Sequence, residues 1–193
     1  MREGDRRTRW DERYSEGDWV DVRGPTPLLL DAQEWLPSGG TAFDAACGAG
    51  RNALWLARRG WRVVGVDLSI EGLRLLRARM RPGQDRIQPV LADLAHPPLA
   101  PRSLDLAVNS FFLLRPLLPA LIDGLRPGGL LLFETYSVLE LEALGGDIRR
   151  EFTVERGELL EFAAGLEILL HEEGIFEREE GERGLARLIA RKR

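Results

Sequence analysis

The chain has 193 residues, which is enough for one substantial domain and short for two. Its apolar fraction of 44% and charged fraction of 30% are typical of a globular protein, and a formal charge of −4 gives no electrostatic reason to expect nucleic acid as a partner. A single cysteine excludes an intrachain disulfide and favours a reducing compartment, so we expect a cytoplasmic protein. Because no apolar run reaches membrane-spanning length and the charged N-terminus lacks a signal peptide's apolar region, we expect no membrane partner.

The first 24 residues are polar and aromatic, and Gly24-Pro25-Thr26-Pro27 marks their end. Trp10 and Tyr14 are four positions apart, so on a helix they share one face. With Trp19 they could fold over a site in the rest of the chain as a lid that excludes water. Packing as a simple N-terminal cap is an equal alternative.

From residue 25 onward, predicted helices alternate with predicted strands. The strands are continuously apolar, as expected for a parallel sheet covered by helices on both faces, and this alternation indicates a doubly wound α/β domain. The predicted helices are Leu28–Leu36, Arg51–Arg59, Ile70–Met80 and Arg115–Leu125, and the predicted strands are Thr41–Ala46, Trp61–Val66, Arg86–Leu91, Leu104–Ser110 and Leu130–Thr135.

The C-terminal part has a different pattern. A helix is predicted around Thr153–Ala164, followed by the strands Leu166–Phe176 and Leu185–Ala190. The charged, glycine-containing segment Glu177–Gly184 joins these strands, which indicates an antiparallel hairpin with a solvated turn. We therefore expect a single domain over residues 1–193, made of a lid or cap at residues 1–24 and an α/β core at residues 25–193.

A cofactor site is predicted where the first strand meets the following helix. The segment Phe43-Asp44-Ala45-Ala46-Cys47-Gly48-Ala49-Gly50 is an apolar strand end that runs into two glycines, and a helix begins at Arg51. Glycines let the backbone approach a ligand closely, and the free N–H groups of a first helical turn attract an anionic group. Seventeen residues after Gly50 the next strand ends in Asp67, whose carboxylate can accept both hydroxyl protons of a ribose. This pairing predicts an adenosine-containing cofactor.

Five segments, in this order, resemble the class I S-adenosylmethionine-dependent methyltransferases. They are Asp44–Gly50, Val66–Ser69, Ala92–Leu94, Leu104–Ser110 and Leu125–Leu132. Each alone would be a weak signal, but together they are specific. Trp10–Tyr14 and Gly50–Ala53 further resemble the small-molecule branch near tellurite-resistance and thiopurine methyltransferases. The fold that this resemblance implies is a Rossmann-like, mostly parallel seven-stranded sheet that ends in an antiparallel hairpin.

The resemblance implies an enzyme that transfers a methyl group from S-adenosylmethionine to a small-molecule acceptor by in-line displacement, with S-adenosylhomocysteine as product. It places Gly48 and Gly50 against the methionine moiety and Asp44 at the methionine ammonium group. It places Asp67 at the ribose and Asp93 at the adenine amino group. The other residues assigned to the cofactor are Ala46, Cys47, Asn52, Leu68, Leu94, Asn109, Phe111, Trp10 and Tyr14. The strand end Glu134-Thr135-Tyr136 could face the acceptor.

Several of these residues have a structural alternative. Asp67 could cap the next helix, although Ser69 could do so equally well. Cys47 is small and lies beside Gly48, so packing explains it better than nucleophilic chemistry. Asn52 could simply polarise the first helical turn, and Phe111 could belong to the core.

Two other functions stay open at this point. Gly48–Ala53 also fits the G-x-G-x-x-A fingerprint of nicotinamide dinucleotide sites, so an NAD(P)-dependent oxidoreductase is one alternative. Asp44, Asp93 and the C-terminal hairpin favour the methyltransferase. A non-catalytic S-adenosylmethionine-binding regulatory protein is the other alternative. His96 and His171 lack partners at metal-ligand spacing, so we expect no metal, and no catalytic base, acceptor or oligomeric state can be named.

Overall fold

The computed structural model describes residues 3–17, 24–81, 85–179 and 181–193. The strands are β1 (Thr41–Ala45), β2 (Arg62–Asp67), β3 (Ile87–Leu91), β4 (Leu104–Ser110), β5 (Leu125–Tyr136), β6 (Glu167–Arg178) and β7 (Gly181–Arg191). The α-helices are α1 (Glu3–Ser15), α2 (Pro27–Asp31), α3 (Arg51–Arg58), α4 (Ile70–Arg79), α5 (Leu117–Gly124), α6 (Leu139–Glu142) and α7 (Glu158–Phe162), and 3-10 helices cover Ala32–Glu34 and Arg150–Phe152.

The seven strands form one sheet in the order β3-β2-β1-β4-β5-β7-β6. The pairs β1–β2, β2–β3 and β4–β5 are parallel, whereas β7 is antiparallel to both of its neighbours. The predicted fold class, a mostly parallel Rossmann-like sheet that ends in an antiparallel hairpin, is therefore confirmed. Within the described ranges, no helix is both long enough and apolar enough to cross a membrane.

The chain divides into two compact units, residues 1–100 and 101–193. In the first unit, Asp67 pairs with Leu91 at the carboxyl ends of β2 and β3. The N–H group of Ala92 donates to the carbonyl of Asp67 at 3.1 Å, so the chain leaves β3 at this edge and reaches Asp93 directly. The apolar side chains of β1 and β2, such as Phe43 and Val63, are buried, and each contributes roughly 1.5–3 kcal/mol through burial. This core fixes the strand ends that carry the acidic side chains.

In the second unit, neighbouring strands place four polar residues in one row. Ser110 of β4 pairs with Glu134 of β5, Glu134 pairs with Arg187 of β7, and Arg187 pairs with Glu172 of β6. Directly paired residues lie on the same face of a sheet, so the row crosses one face of four strands. Apolar neighbours such as Phe133 and Leu188 lie on the opposite face and are fully buried.

The predicted length of the hairpin turn is wrong. The segment Glu177–Gly184 was expected to be a solvated loop, but β6 continues to Arg178 and β7 begins at Gly181. Pairing continues through Glu177 with Glu182 and Arg178 with Gly181, because charged side chains are tolerated on strands at the edge of a sheet.

Three other predicted boundaries also need correction. The helix expected over Leu28–Leu36 is the short helix Pro27–Asp31 followed by a 3-10 turn. The helix expected over Thr153–Ala164 covers only Glu158–Phe162, because Gly157 before it has a left-handed backbone with φ of +76°. The strand expected to begin at Leu130 begins at Leu125. The remaining predicted elements agree with the structure to within two residues at either end.

Candidate functional site

The turn between β1 and α3 is held in a conformation that favours glycine. Gly48 and Gly50 have φ values of +51° and +79°, and Ala46 also has a positive φ of +52°. A Cβ atom on Gly50 would overlap the Leu76 side chain, so no larger residue fits there without a shift. The N–H group of Gly48 donates to Asp67 Oδ2 at 2.7 Å. The structure therefore brings the predicted glycine turn and the predicted ribose-binding carboxylate into direct contact.

Asp44 lies at the end of β1 and is 2% exposed. Its Oδ2 accepts the N–H group of Ala53, in the first turn of α3, at 3.1 Å. Burial raises the pKa of Asp44 from 3.8 to about 7, although this hydrogen bond and the nearby Arg51 act in the opposite direction. The carboxyl group is therefore poised to change its charge near neutral pH.

Asp67 is 7% exposed and is held by the backbone on both oxygens. Its Oδ1 accepts the N–H group of Ser69 at 2.8 Å, while its Oδ2 accepts that of Gly48. Burial raises the pKa of Asp67 above its ordinary value. The alternative role as a helix cap is wrong, because the Ser69 hydroxyl caps α4 by accepting the N–H group of Gly72 at 3.1 Å.

The turn after β3 carries Asp93 and the buried Leu94. Asp93 Oδ1 accepts the N–H group of Ala95 at 2.9 Å, and Asp93 Oδ2 accepts a hydrogen bond from Arg6 Nη2 at 2.7 Å. Leu68, which follows β2, is half-buried. The predicted adenine turn thus lies at the edge formed by the carboxyl ends of β2 and β3, but its acid already has a charged partner from α1.

Two predicted residues have structural partners in the first unit. Asn52 Oδ1 accepts the N–H group of Thr26 at 2.9 Å and so ties the chain entering α2 to α3. Cys47 is buried, and a Cβ atom on Gly65 would lie 3.0 Å from its sulfur. Burial raises the pKa of the Cys47 thiol, which disfavours the nucleophilic thiolate. Both observations support packing roles.

Helix α1 carries the predicted lid residues. The rings of Trp10 and Tyr14 lie on it with centroids 6.2 Å apart, and the Arg13 guanidinium lies 5.0 Å from the Trp10 ring. Tyr14 is packed so closely on the first unit that a Cβ atom on Gly48 would overlap its hydroxyl group. Burial, followed by the Asp67 carboxylate, raises the pKa of Tyr14. The third predicted lid residue, Trp19, lies outside the described residues.

In the second unit, a tight turn follows β4. Asn109 is fully buried, and its Nδ2 donates to the carbonyl of Phe112 at 2.6 Å. Its Oδ1 is buried and has no hydrogen-bond partner among the residues that the structure describes. Phe111 has a φ of +57°, which is unusual for a bulky residue, and its N–H group donates to the carbonyl of Glu134 at 2.7 Å. Its ring lies 5.4 Å from that of Tyr136.

Glu134 is 0% exposed and is neutralised by two arginines that the sequence did not single out. Its Oε2 accepts hydrogen bonds from Arg178 Nη2 at 3.0 Å and from Arg187 Nε at 3.2 Å. Arg187 also donates a hydrogen bond to Glu172. The guanidinium groups of Arg178 and Arg187 both lie within 5.4 Å of the Phe176 ring centre. Only the register of β5 against β7 reveals this cluster, since its members are far apart in sequence.

The sequence also did not single out Arg6 and Asp11. Asp11 Oδ1 accepts the Ser69 hydroxyl at 2.6 Å, so α1 contacts the start of α4. For Arg6 the sequence did contain a signal. Arg6, Trp10 and Tyr14 are spaced four residues apart, which places them on one side of a helix.

Residues 42–129 match a protein-family model described as a methyltransferase domain. Among curated proteins, methyltransferase GfsG from Streptomyces halstedii is 35% identical over 101 residues, which are 46% of this chain and 36% of that protein. Ribosomal RNA small subunit methyltransferase C from Alcanivorax borkumensis is 52% identical over 44 residues, which are 22% of this chain and 14% of that protein. The chain thus spans well under two thirds of the length of both relatives.

Solved structures share the fold. TehB from Haemophilus influenzae gives a TM-score of 0.78 at 21% identity and covers 95% of this chain and 67% of that chain. Geranyl diphosphate C-methyltransferase from Streptomyces coelicolor A3(2), solved with Mg²⁺, geranyl diphosphate and S-adenosyl-L-homocysteine, gives 0.64 at 17% identity and covers 86% and 79% of the two chains. These solved structures show that the fold is shared, and the family model that matches residues 42–129 confirms the resemblance to methyltransferases.

Proposed function

We propose that this chain, whose residues 42–129 match a methyltransferase domain, transfers a methyl group from S-adenosylmethionine to a small molecule. The observation that carries the proposal is the hydrogen bond between the Gly48 N–H group and Asp67 at 2.7 Å. This bond joins the glycine turn to the acidic end of β2 at the carboxyl edge of a parallel sheet, which is where open α/β sheets bind their ligands.

The charge of this edge favours a cationic cofactor over a dinucleotide. Asp44 and Asp67 are both buried, and both accept hydrogen bonds from backbone N–H groups. An ammonium or sulfonium group would be attracted to the ionised form of these carboxyl groups, whereas the pyrophosphate of NAD(P) would be repelled by it. This argument favours the methyltransferase over the oxidoreductase alternative.

The contact proposed at Asp67 is compatible with the hydrogen bonds that this carboxylate already accepts. A carboxylate oxygen can accept more than one hydrogen bond, so Asp67 can bind ribose hydroxyls while it holds Gly48 and Ser69. We assign the methionine moiety to the turn at Gly48, its ammonium group to Asp44 and the adenine amino group to Asp93. Leu94 would supply an apolar surface for the adenine ring.

In the second unit, the turn after β4 carries groups that could bind a ligand. Leaving a buried acceptor such as Asn109 Oδ1 without a hydrogen bond costs about 1–3 kcal/mol, which a ligand N–H or O–H group would recover. Phe111 and Tyr136 offer aromatic faces, which attract cations. We therefore assign Asn109 and Phe111 to ligand binding, and Tyr136 at the end of β5 to the acceptor.

The proposed reaction requires alignment more than acid–base chemistry. When bound, S-adenosylmethionine supplies an activated methyl group whose leaving group is a neutral thioether. The protein orients the acceptor in line with that group, and such alignment can remove roughly 7–11 kcal/mol of the barrier. We therefore assign no residue as a catalytic base.

A small-molecule acceptor is favoured over nucleic acid. The ribosomal RNA methyltransferase match covers only 22% of this chain, and the formal charge of −4 would repel a polyanion. The geranyl diphosphate enzyme that shares the fold was solved with a small molecule in place. The exclusion of nucleic acid, the single-domain organisation and the cytoplasmic location stay predictions.

Calorimetric titration of the purified protein tests the proposal. We expect binding of S-adenosylmethionine and S-adenosylhomocysteine and no binding of NAD(H) or NADP(H). Failure to bind either adenosyl compound would overturn the proposal, and binding of a nicotinamide dinucleotide would support the oxidoreductase instead. Cofactor binding without methylated product from a broad acceptor panel would support the non-catalytic alternative.

A further inference from the structure

We infer that helix α1 is an intramolecular competitor of the adenosyl cofactor: its side chains hold the positions proposed for the nucleoside and have to leave them before the cofactor binds. The inference rests on the proposed function, because it takes the cofactor positions from there. Three side chains of α1, Arg6, Asp11 and Tyr14, contact the carboxyl edge of the first unit.

Arg6 occupies the proposed adenine partner. Its Nη2 lies 2.7 Å from Asp93 Oδ2, and the two side chains are 35% and 15% exposed. The other oxygen of Asp93 accepts the N–H group of Ala95. An adenine amino group that approaches Asp93 therefore meets a carboxylate whose outward oxygen is bonded to a guanidinium group. The two donors compete for one acceptor.

Tyr14 occupies the space above the glycine turn. Its hydroxyl lies where a Cβ atom of Gly48 would be, and its ring carbon Cε2 lies 3.0 Å from the Cβ position of Gly72. The missing side chains of these two glycines make room for the phenol ring. A methionine moiety that lies on the backbone of Gly48 would need the same space. Tyr14 therefore blocks the second part of the proposed cofactor position.

Asp11 fastens α1 beside these two contacts. Its Oδ1 accepts the Ser69 hydroxyl at 2.6 Å and the N–H group of Glu71 at 3.3 Å, both at the start of α4. Neither donor belongs to the residues proposed to bind the cofactor. The docked state of α1 is thus stabilised by contacts that a ligand does not replace. The apparent affinity for the cofactor is therefore the intrinsic affinity multiplied by the fraction of molecules in which α1 is undocked.

A calorimetric comparison of two single variants tests the competition. Arg6→Ala removes the competing guanidinium, whereas Arg7→Ala removes the same charge from an exposed position on the same helix. We expect Arg6→Ala to bind S-adenosylhomocysteine about threefold to tenfold more tightly than the parent, and Arg7→Ala to match the parent. Unchanged or weaker binding by Arg6→Ala would overturn the inference. If the alanine variant misfolds, Arg6→Gln serves the same comparison.

Salt provides a control on the same pair. Higher ionic strength screens a partly exposed ion pair, so the difference in affinity for S-adenosylhomocysteine between the parent and Arg6→Ala should shrink as sodium chloride rises from about 50 to 500 mM. If neither the parent nor any variant binds the ligand, the proposed function fails; if all bind equally at every salt concentration, only the competition fails.

Hydrogen exchange gives a second readout. Saturating S-adenosylhomocysteine should increase amide exchange within residues 3–15, because the ligand displaces α1 from its docking contacts. Decreased exchange there would mean that α1 closes over the bound ligand, and it would overturn the inference.

Discussion

The two units hold their buried carboxyl groups in different ways. In the first unit, Asp44 and Asp67 accept hydrogen bonds from backbone N–H groups. In the second unit, Glu134 lies between the guanidinium groups of Arg178 and Arg187. A backbone N–H group carries only a partial charge, so the first arrangement keeps a negative field that a cationic ligand can use. The second arrangement cancels its charge internally, which marks Glu134 as part of the architecture of the sheet.

The largest expected effect follows from removing the negative charge of Glu134 in the second unit. Glu134→Gln leaves the guanidinium of Arg187, which is buried, short of one negative charge. We expect the free energy of unfolding to fall by about 3–5 kcal/mol in urea denaturation. Glu167→Gln, which removes an exposed pair with Arg191 on the same hairpin, should cost less than about 1 kcal/mol. Equal losses in both variants would erase the distinction between the two units.

The next effect concerns the pH dependence of Asp44. Its folded pKa of about 7 lies above its ordinary value of 3.8, so the folded state favours the protonated form. This contribution to stability is complete below the unfolded pKa and is lost as the pH rises through about 7, by at most about 1.4 kcal/mol per pH unit.

Asp44→Asn cannot titrate and should therefore gain stability relative to the parent between about pH 5 and pH 7. Thermal or urea unfolding at several pH values would measure the gain, with Asp85→Asn as an exposed control in the same unit. A difference from the parent that does not change with pH would show that Asp44 is charged throughout.

A smaller effect is expected on ligand affinity at Asp67. Asp67→Ala removes the proposed ribose acceptor and should weaken binding of S-adenosylhomocysteine at least tenfold, or about 1.4 kcal/mol. Titration calorimetry at one temperature would measure the change, and Asp85→Ala should bind like the parent. Unchanged affinity in Asp67→Ala would assign the carboxylate to the fold of the turn alone.

The smallest expected effect is at the cap of α4. Ser69→Ala removes the acceptor for the Gly72 N–H group and the donor to Asp11, and should cost about 1 kcal/mol of stability. The urea midpoint would report the loss, and Ser38→Ala at an exposed position should leave it unchanged. No loss in Ser69→Ala would mean that solvent replaces both hydrogen bonds.

Much of the fold was predictable because its signals are local. Continuous apolar strands, glycines at left-handed turns and an acid at the end of β2 each depend on neighbours in sequence. The Gly48 turn and Asp67 are therefore predictable without knowledge of the contact between them. The glycine that ends the strand-to-helix turn, Gly50, has the positive φ that its residue type predicts.

The rest depends on contacts between distant segments. The partnership of Arg6 with Asp93 joins residues 87 positions apart, and that of Arg187 with Glu134 joins residues 53 positions apart. Charged residues near the N-terminus and in the hairpin suggested solvated surface, since sequence alone does not show which side chains a fold brings together. The predicted length of the hairpin turn is too great for the same reason. Its charged residues do not show, from sequence alone, that they pair as strands at the edge of the sheet.

The polar row across β4, β5, β7 and β6 has a consequence for how the hairpin is aligned. If β7 slid by one residue along β5, Glu134 would stand opposite Ala186 or Leu188 in place of Arg187. A carboxylate would then be enclosed without its counter-ion, and an arginine would be turned toward the apolar layer on the other side of the sheet. A shift in register thus destabilises the β5–β7 pairing far more than the correct register stabilises it. The row acts as a register lock for the last two strands.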